Sequence, residues 1–188
     1  SACELVTEIL EYANEEVKLE KIEAEALYAG IVVDTKNFTL KSGVRTFEAA
    51  AYLRKLGVDT QEVNQMFKKD LGTYVVISDI IGNMEVVKGH IGISICPKLE
   101  NESSLITAQA ADEMLNIDNI YASFVLCEDG EIIRVSGRSL GNINVQIILE
   151  QLGGGGHLSM AGAQLENVKI DEAKEMLIKA IENVDLKI

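Results

Sequence analysis

Residues 120–157 read IYASFVLCEDGEIIRVSGRSLGNINVQIILEQLGGGGH, and the order of signals in this stretch decides the fold class. Ile120–Cys127 is an apolar, β-branched and aromatic run of strand length. Asp129-Gly130 follows as a tight turn, and Ile132–Ser136 supplies the returning strand of a hairpin. The spacing then changes to that of a helix over Ile143–Leu152, with Asn142 as its cap, and four glycines stop it. Working outward, Ile91–Ile95 reads as a short strand and Leu105–Leu115 as a helix. Asp171 reads as the cap of a last helix, Glu172–Ile181. Strands alternating with helices make this half of the chain α/β.

The other half differs. Glu4, Glu8, Glu11, Glu15, Glu16, Glu20, Glu23 and Glu25 crowd the first twenty-six residues, while Leu5, Ile9 and Tyr12 keep helical spacing, which predicts a solvated amphipathic helix. A second helix over Ile22–Val33 ends in a buried run that delivers Asp34, and Thr35–Val44 reads as a polar loop. Thr46 is the expected N-cap of Phe47–Leu56, closed by Gly57, and Asp59 or Thr60 caps a further helix through Lys69. Residues 1–70 are therefore read as helical, 71–87 as a connecting segment and 88–188 as α/β. The connecting segment is ambiguous. Tyr74-Val-Val-Ile-Ser-Asp-Ile-Ile reads locally as strand, whereas Val76, Ile80 and Met84 fit one helix face.

Composition bounds the function. Thirty acidic against seventeen basic residues leave a net charge of −13, which argues against non-specific binding to duplex DNA. A small anion is not excluded, because a pocket sets its own local field. Between Ile31 and Lys69 the balance reverses, with Lys36, Lys41, Arg45, Arg54, Lys55, Lys68 and Lys69 facing four acidic residues. Cys3, Cys96 and Cys127 form no Cys-x-x-Cys pair, so neither a disulfide framework nor a thiolate zinc site is indicated, and a reducing cytoplasm fits best. Two histidines are too few for a multi-histidine metal site, and His90 is read as structural. No apolar run approaches the ~20 residues of a membrane span. No membrane contact is expected within the chain.

Three places can carry chemistry. Gly153-Gly154-Gly155-Gly156 lets backbone amides approach an anion without Cβ interference, and His157 follows as a hydrogen-bond donor or proton shuttle. Read blandly, the tract is a flexible turn, but apolar structure flanks it on both sides. Arg138-Ser139-Leu-Gly-Asn-Ile-Asn144-Val offers a guanidinium fork suited to phosphate, with neutral donors beside it. Its bland reading is a surface arginine beside a helix cap. The third place is Asp34 in Val-Val-Asp-Thr-Lys-Asn-Phe38, where the simplest role is to terminate a helix.

Together these motifs resemble the DHH phosphoesterases and their DHH-associated C-terminal domain. The stretch Ala29-Gly-Ile-Val-Val-Asp-Thr-Lys-Asn-Phe-Thr-Leu-Lys-Ser-Gly-Val-Arg-Thr-Phe-Glu-Ala-Ala-Ala-Tyr-Leu-Arg-Lys-Leu is similar to one branch, the membrane-anchored cyclic-di-AMP phosphodiesterases of Gram-positive and related bacteria. The resemblance implies a mostly helical remainder of a DHH domain followed by a smaller α/β domain with a mixed sheet, and makes 71–83 a connecting helix. It implies hydrolysis of cyclic-di-AMP to linear pApA at two divalent metals, manganese in the complete enzyme, in a cleft between domains. Asp34 is then a catalytic metal ligand, while Arg138, Ser139, Asn144, Gly154, Gly155, Gly156 and His157 hold substrate. The Asp-His-His triplet that names the family does not occur in the sequence. The chain is accordingly expected to be a fragment that starts mid-domain, does not retain the metals and does not turn over alone. The full protein is expected to be held at the membrane by upstream helices, with this part cytoplasmic. A nanoRNA phosphoesterase of the same superfamily and a non-catalytic nucleotide-binding module are the competing readings. Short oligonucleotides are the other expected partner, and the apolar strands leave a homodimer open.

Overall fold

The computed structural model describes residues 1–13, 18–97 and 103–184, and the chain divides into two compact units, Ser1–Lys69 and Asp70–Ile188. In the first unit the elements are α1 (Ala2–Tyr12), α2 (Lys21–Asp34), α3 (Val44–Lys55) and α4 (Thr60–Gln65). Ala24, Ile31, Ala49, Leu53, Val58 and Val63 form its core. The acidic face of α1 is tied down by Arg45, which forks onto the Glu8 carboxylate. Glu15 and Glu16, expected in the first helix, lie outside the described residues. Helix α2 begins at a capping box, with Glu23 accepting from the Glu20 amide. Asp59 caps α4 as expected, accepting from the Gln61 amide at 2.8 Å. Thr46 is corrected. Helix α3 starts one turn earlier, at Gly43, and Thr46 is its third residue, with a hydroxyl that accepts from the Gly43 amide (3.1 Å) and donates to Glu4 (3.0 Å).

The second unit is α5 (Leu71–Gly82), β1 (Glu85–Val87), β2 (Ile91–Ile95), α6 (Ser103–Met114), β3 (Ala122–Asp129), β4 (Ile132–Ser139), α7 (Val145–Glu150), β5 (Gly155–His157), β6 (Met160–Glu166) and α8 (Ile170–Glu182). Its strands form one mixed sheet in the order β1-β2-β3-β4-β6-β5. Among the described residues only β2 and β3 pair in parallel, and α6 supplies the crossover that a parallel pair requires. Helices α5 and α6 cover one face around Ile77, Ile80, Ala110 and Met114. Helices α7 and α8 cover the other, where Phe124 and Leu126 meet Ile148, Leu149 and Leu177, all fully buried. Truncating a side chain such as Phe124 to alanine would cost about 3–5 kcal/mol.

The local strand reading of 74–81 is overturned. Asp70 accepts from both the amide and the hydroxyl of Thr73, and this cap starts a helix whose Ile77 and Ile80 bury against α6. Two further caps move. Asn144, not Asn142, caps α7, and α8 starts from Lys169, which leaves Asp171 in its first turn. Among the described residues no helix is long and apolar enough to cross a membrane.

Candidate functional site

Strand β4 alternates strictly. Ile133, Val135, Gly137 and Ser139 are buried, whereas Arg134, Ser136 and Arg138 are half-buried on the opposite, α6-facing side. Partners directly opposite in an antiparallel ladder share a face. Arg138 pairs with Met160 on β6, and Met160 pairs with His157 on β5, so these three side chains stand in one row. With strands about 4.8 Å apart, the backbones of Arg138 and His157 are roughly 10 Å apart. The next row on the same face is Ser136, Gly162 and Gly155. The row beyond it holds Arg134 and Gln164. A pocket of about 520 Å³ opens over the second and third rows, next to the Arg138–Met160–His157 row, and is lined by Ser104, Arg134, Ser136, Gly154, Gly155 and Gln164 among others.

The Arg138 guanidinium is held in place. Its Nε donates to Asp112 on α6 at 3.2 Å and its Nη1 to the Gly137 carbonyl at 3.0 Å. Those contacts commit two of five donors and leave a fork of fixed orientation. The turn after His157 is tied back to the same end of the sheet. Ser139 donates its amide to the Ser159 carbonyl (3.0 Å), and Val145 donates its amide to the Leu158 carbonyl (3.1 Å). In this way the fold brings Arg138, Ser139, Asn144 and His157 together.

Their roles differ in kind. His157 is exposed. Ser139 is buried on the face opposite Arg138, and its hydroxyl accepts from the Gly141 amide at 2.9 Å. Asn144 uses its side-chain oxygen to cap α7, accepting from the Gln146 and Ile147 amides. Both shape the loop that carries Arg138.

The glycine tract is a helix stop followed by a strand, and not a loop of four equivalent amides. Gly153 donates to the Glu150 carbonyl and Gly154 to the Leu149 carbonyl, closing α7 with Gly153 at φ +77°. Beyond that cap the tract pairs as β5. A Cβ on Gly154 would meet the Gly162 carbonyl oxygen and the Ala163 methyl, and one on Gly156 would meet the Met160 carbonyl oxygen and Ala161. Gly155 has open space on its Cβ side and lines the pocket. Sequence reasoning missed Arg134, Ser136 and Gln164. The alternation Arg134-x-Ser136-x-Arg138 in a strand was the signal that could have found the first two.

Asp34, in the first unit, is the last residue of α2 and is exposed, with its carboxylate accepting from the Ser1 hydroxyl at 2.7 Å. The turn after it is unusual. Lys36, Asn37 and Phe38 all have positive φ, at 45°, 57° and 62°, a conformation that L-residues seldom hold in succession. Thr35 pins the turn, donating to the Ile31 carbonyl (2.7 Å) and accepting from the Phe38 amide (3.0 Å). The Phe38 ring is seated between Tyr28 and Phe47, with centroids 5.9 and 5.4 Å away. Among the described residues no group of three or more His, Cys, Asp or Glu could hold a metal ion. One carboxylate does not fit a two-metal centre by itself. His90 has a structural role, with Nδ1 3.1 Å from the Asn119 carbonyl and its ring stacked on Tyr121.

The family model of the DHHA1 domain matches residues 49–184. The chain belongs to the DHHA1 domain family. Resemblance to the DHH phosphoesterases and their associated domain is thereby borne out. This DHHA1 chain is 50% identical over 185 residues to the cyclic-di-AMP phosphodiesterase PdeA of Listeria monocytogenes, a match covering 97% of this chain and 28% of that protein. It is 46% identical over 182 residues to the cyclic-di-AMP phosphodiesterase GdpP of Geobacillus thermodenitrificans, covering 96% of this chain and 28% of that protein. Among solved structures, an exopolyphosphatase-related protein from Bacteroides fragilis superposes with a TM-score of 0.85 at 23% identity, covering 97% of this chain and 56% of that one. That likeness shows the fold. The DHHA1 chain thus spans a little over a quarter of the length of the curated relatives it matches.

Proposed function

We propose that this chain is the substrate-holding portion of a metal-dependent phosphodiesterase that opens cyclic-di-AMP to linear pApA. The observation that carries the reading is the Arg138–Met160–His157 row, a cationic fork and an imidazole on one face, in the row next to a glycine-lined pocket. The 50% identity to a named cyclic-di-AMP phosphodiesterase supplies the substrate class. Residues 88–188 are the substrate-binding domain, 71–87 lead into it, and residues 1–70 belong to the catalytic domain.

Arg138 binds non-bridging phosphate oxygens through its fork and neutralises their charge. His157 donates a hydrogen bond from the far side of Met160. Gly155 and Gly156 let the phosphate approach the backbone, and Ser139 and Asn144 hold the loop geometry. A hydrogen bond to a charged group contributes about 1.5–3 kcal/mol, so losing Arg138 weakens binding roughly 10–100-fold. Asp34 is one ligand for the two divalent ions, manganese in this reading. The other ligands come from protein outside these 188 residues, so this chain alone holds substrate without hydrolysing it.

The test is a hydrolysis assay with cyclic-di-AMP and manganese. A longer protein that includes this chain should form pApA, its Asp34→Asn variant should lose activity by several orders of magnitude, and the isolated chain should form none. Turnover by the isolated chain, or full activity of the Asp34→Asn variant, would contradict the reading.

A further inference from the structure

Cys96 and Cys127 are separated by thirty-one positions and become neighbours in the sheet. The parallel ladder of β2 and β3 pairs Ile95 with Leu126. The Cys96 amide closes that last pair by donating to the Leu126 carbonyl at 2.7 Å. Cys96 and Cys127 are the next residues on the two strands, so the same register sets them side by side just past the end of the ladder. Partners on adjacent strands lie about 4.8 Å apart, inside the Cα separation that a disulfide accepts. Both side chains point to the α5–α6 face, where they pack in one cluster with Ile77, Ile80, Ala110 and Ala111.

The two thiols lie close enough to shift each other's ionisation. That contact lowers the Cys127 thiol against the opposing effect of burial, and raises Cys96 together with burial. Cys127 also approaches the Pro97 carbonyl at 3.9 Å. Access exists from one side. A pocket of about 500 Å³ is lined by Cys96 and Pro97 together with Asp79, Asn83 and Lys174, and it brings solvent up to the Cys96 end of the pair although both residues are buried. Cys96 is followed directly by Pro97 at the end of the ladder and can shift toward its partner without breaking an interior strand pair.

We propose that Cys96 and Cys127 form a redox-modifiable dithiol, which a hydroperoxide converts to a disulfide joining β2 to β3. One sulfur attacks the peroxide, breaking the O–O bond, and becomes a sulfenic acid as water or an alcohol leaves. The second thiol then displaces water from that sulfenic acid, forming the S–S bond. The peroxide takes the two electrons and two protons that the dithiol gives up. This modification site lies outside the phosphate-holding row and stands independently of the function proposed above.

The test uses the chain as it is. It is treated with hydrogen peroxide, quenched by alkylation in denaturant, and read by intact mass and peptide mapping, with Cys3 as the internal control thiol. The expected product is lighter by two hydrogens before alkylation, has lost two alkylatable thiols, and yields a Cys96–Cys127 cross-linked peptide that dithiothreitol reverses. A Cys96→Ala variant should give no intramolecular cross-link at Cys127. Three outcomes would overturn the proposal: oxygen addition without a cross-link, a cross-link through Cys3, or two thiols that stay alkylatable after Cys3 has oxidised.

Discussion

Arg138 and His157 share one face of the sheet, each in direct register with Met160 between them. Two residues nineteen positions apart in sequence are thereby set on either side of one shared strand, β6, in a rigid frame. A site on strands is held more precisely than one on loops. Arg138 is further fixed by Asp112, and the turn after His157 is fixed by Ser139 and Val145. Anchoring of this kind reduces the ordering cost of gripping a phosphate.

The first prediction separates the glycines. Gly154→Ala and Gly156→Ala each force a methyl group onto the backbone of β6, and each should destabilise the chain by about 1–3 kcal/mol. Gly155→Ala meets no atom within 4 Å and should leave the urea midpoint nearly unchanged. Equal destabilisation by all three would contradict the packing described here.

Asn144 should show a division between stability and binding. Asn144→Ala removes the α7 cap and should cost about 1 kcal/mol. Asn144→Asp keeps the capping oxygen but adds negative charge beside the row, so it should preserve the unfolding midpoint while weakening anion binding. Paired denaturation and titration of both variants would check this.

Acid should destabilise the chain in a defined direction. The Thr73 hydroxyl and then its amide hold the Asp70 carboxyl below its ordinary value. Arg45 does the same for Glu8, and Lys21 for Glu62. A carboxyl lowered on folding gives its full stabilisation above its unfolded pKa, and loses it as pH falls through the folded value. The midpoint should therefore be flat near neutrality and fall once pH drops below about 4. Asp70→Asn, which keeps a capping oxygen without the titration, should flatten the fall; an unchanged slope would show that Asp70 does not contribute.

Much of this was legible in the sequence, and the gaps have physical causes. The β3–β4 hairpin is written in Asp129-Gly130 between two apolar runs, and the structure forms it with Asp129 opposite Ile132. Strand β6 was hidden because Ala161 and Ala163 carry its buried face, and alanine gives little hydropathic contrast with Gly162 and Gln164. Strand β5 was hidden because glycines have no side chain to alternate. Helix α5 misled because Val75, Val76, Ile80 and Ile81 have strand propensity, while burial of Ile77 and Ile80 against α6 and the Asp70 cap decide for helix. Of the site, Arg138 and His157 were readable as chemistry-bearing types next to a glycine tract. That they share a face depends on the β4–β6–β5 register, which no local pattern encodes.

The most direct test of the central claim is equilibrium titration of cyclic-di-AMP and linear pApA onto this chain, without metal, beside Arg138→Ala, His157→Ala and the double variant. The account predicts measurable binding by the parent chain, a loss of roughly 10–100-fold for Arg138→Ala, a smaller loss for His157→Ala, and no detectable binding by the double variant, with unfolding midpoints unchanged. Binding that survives the double variant at full strength would contradict it, because the phosphates would then be held somewhere other than the Arg138–Met160–His157 row.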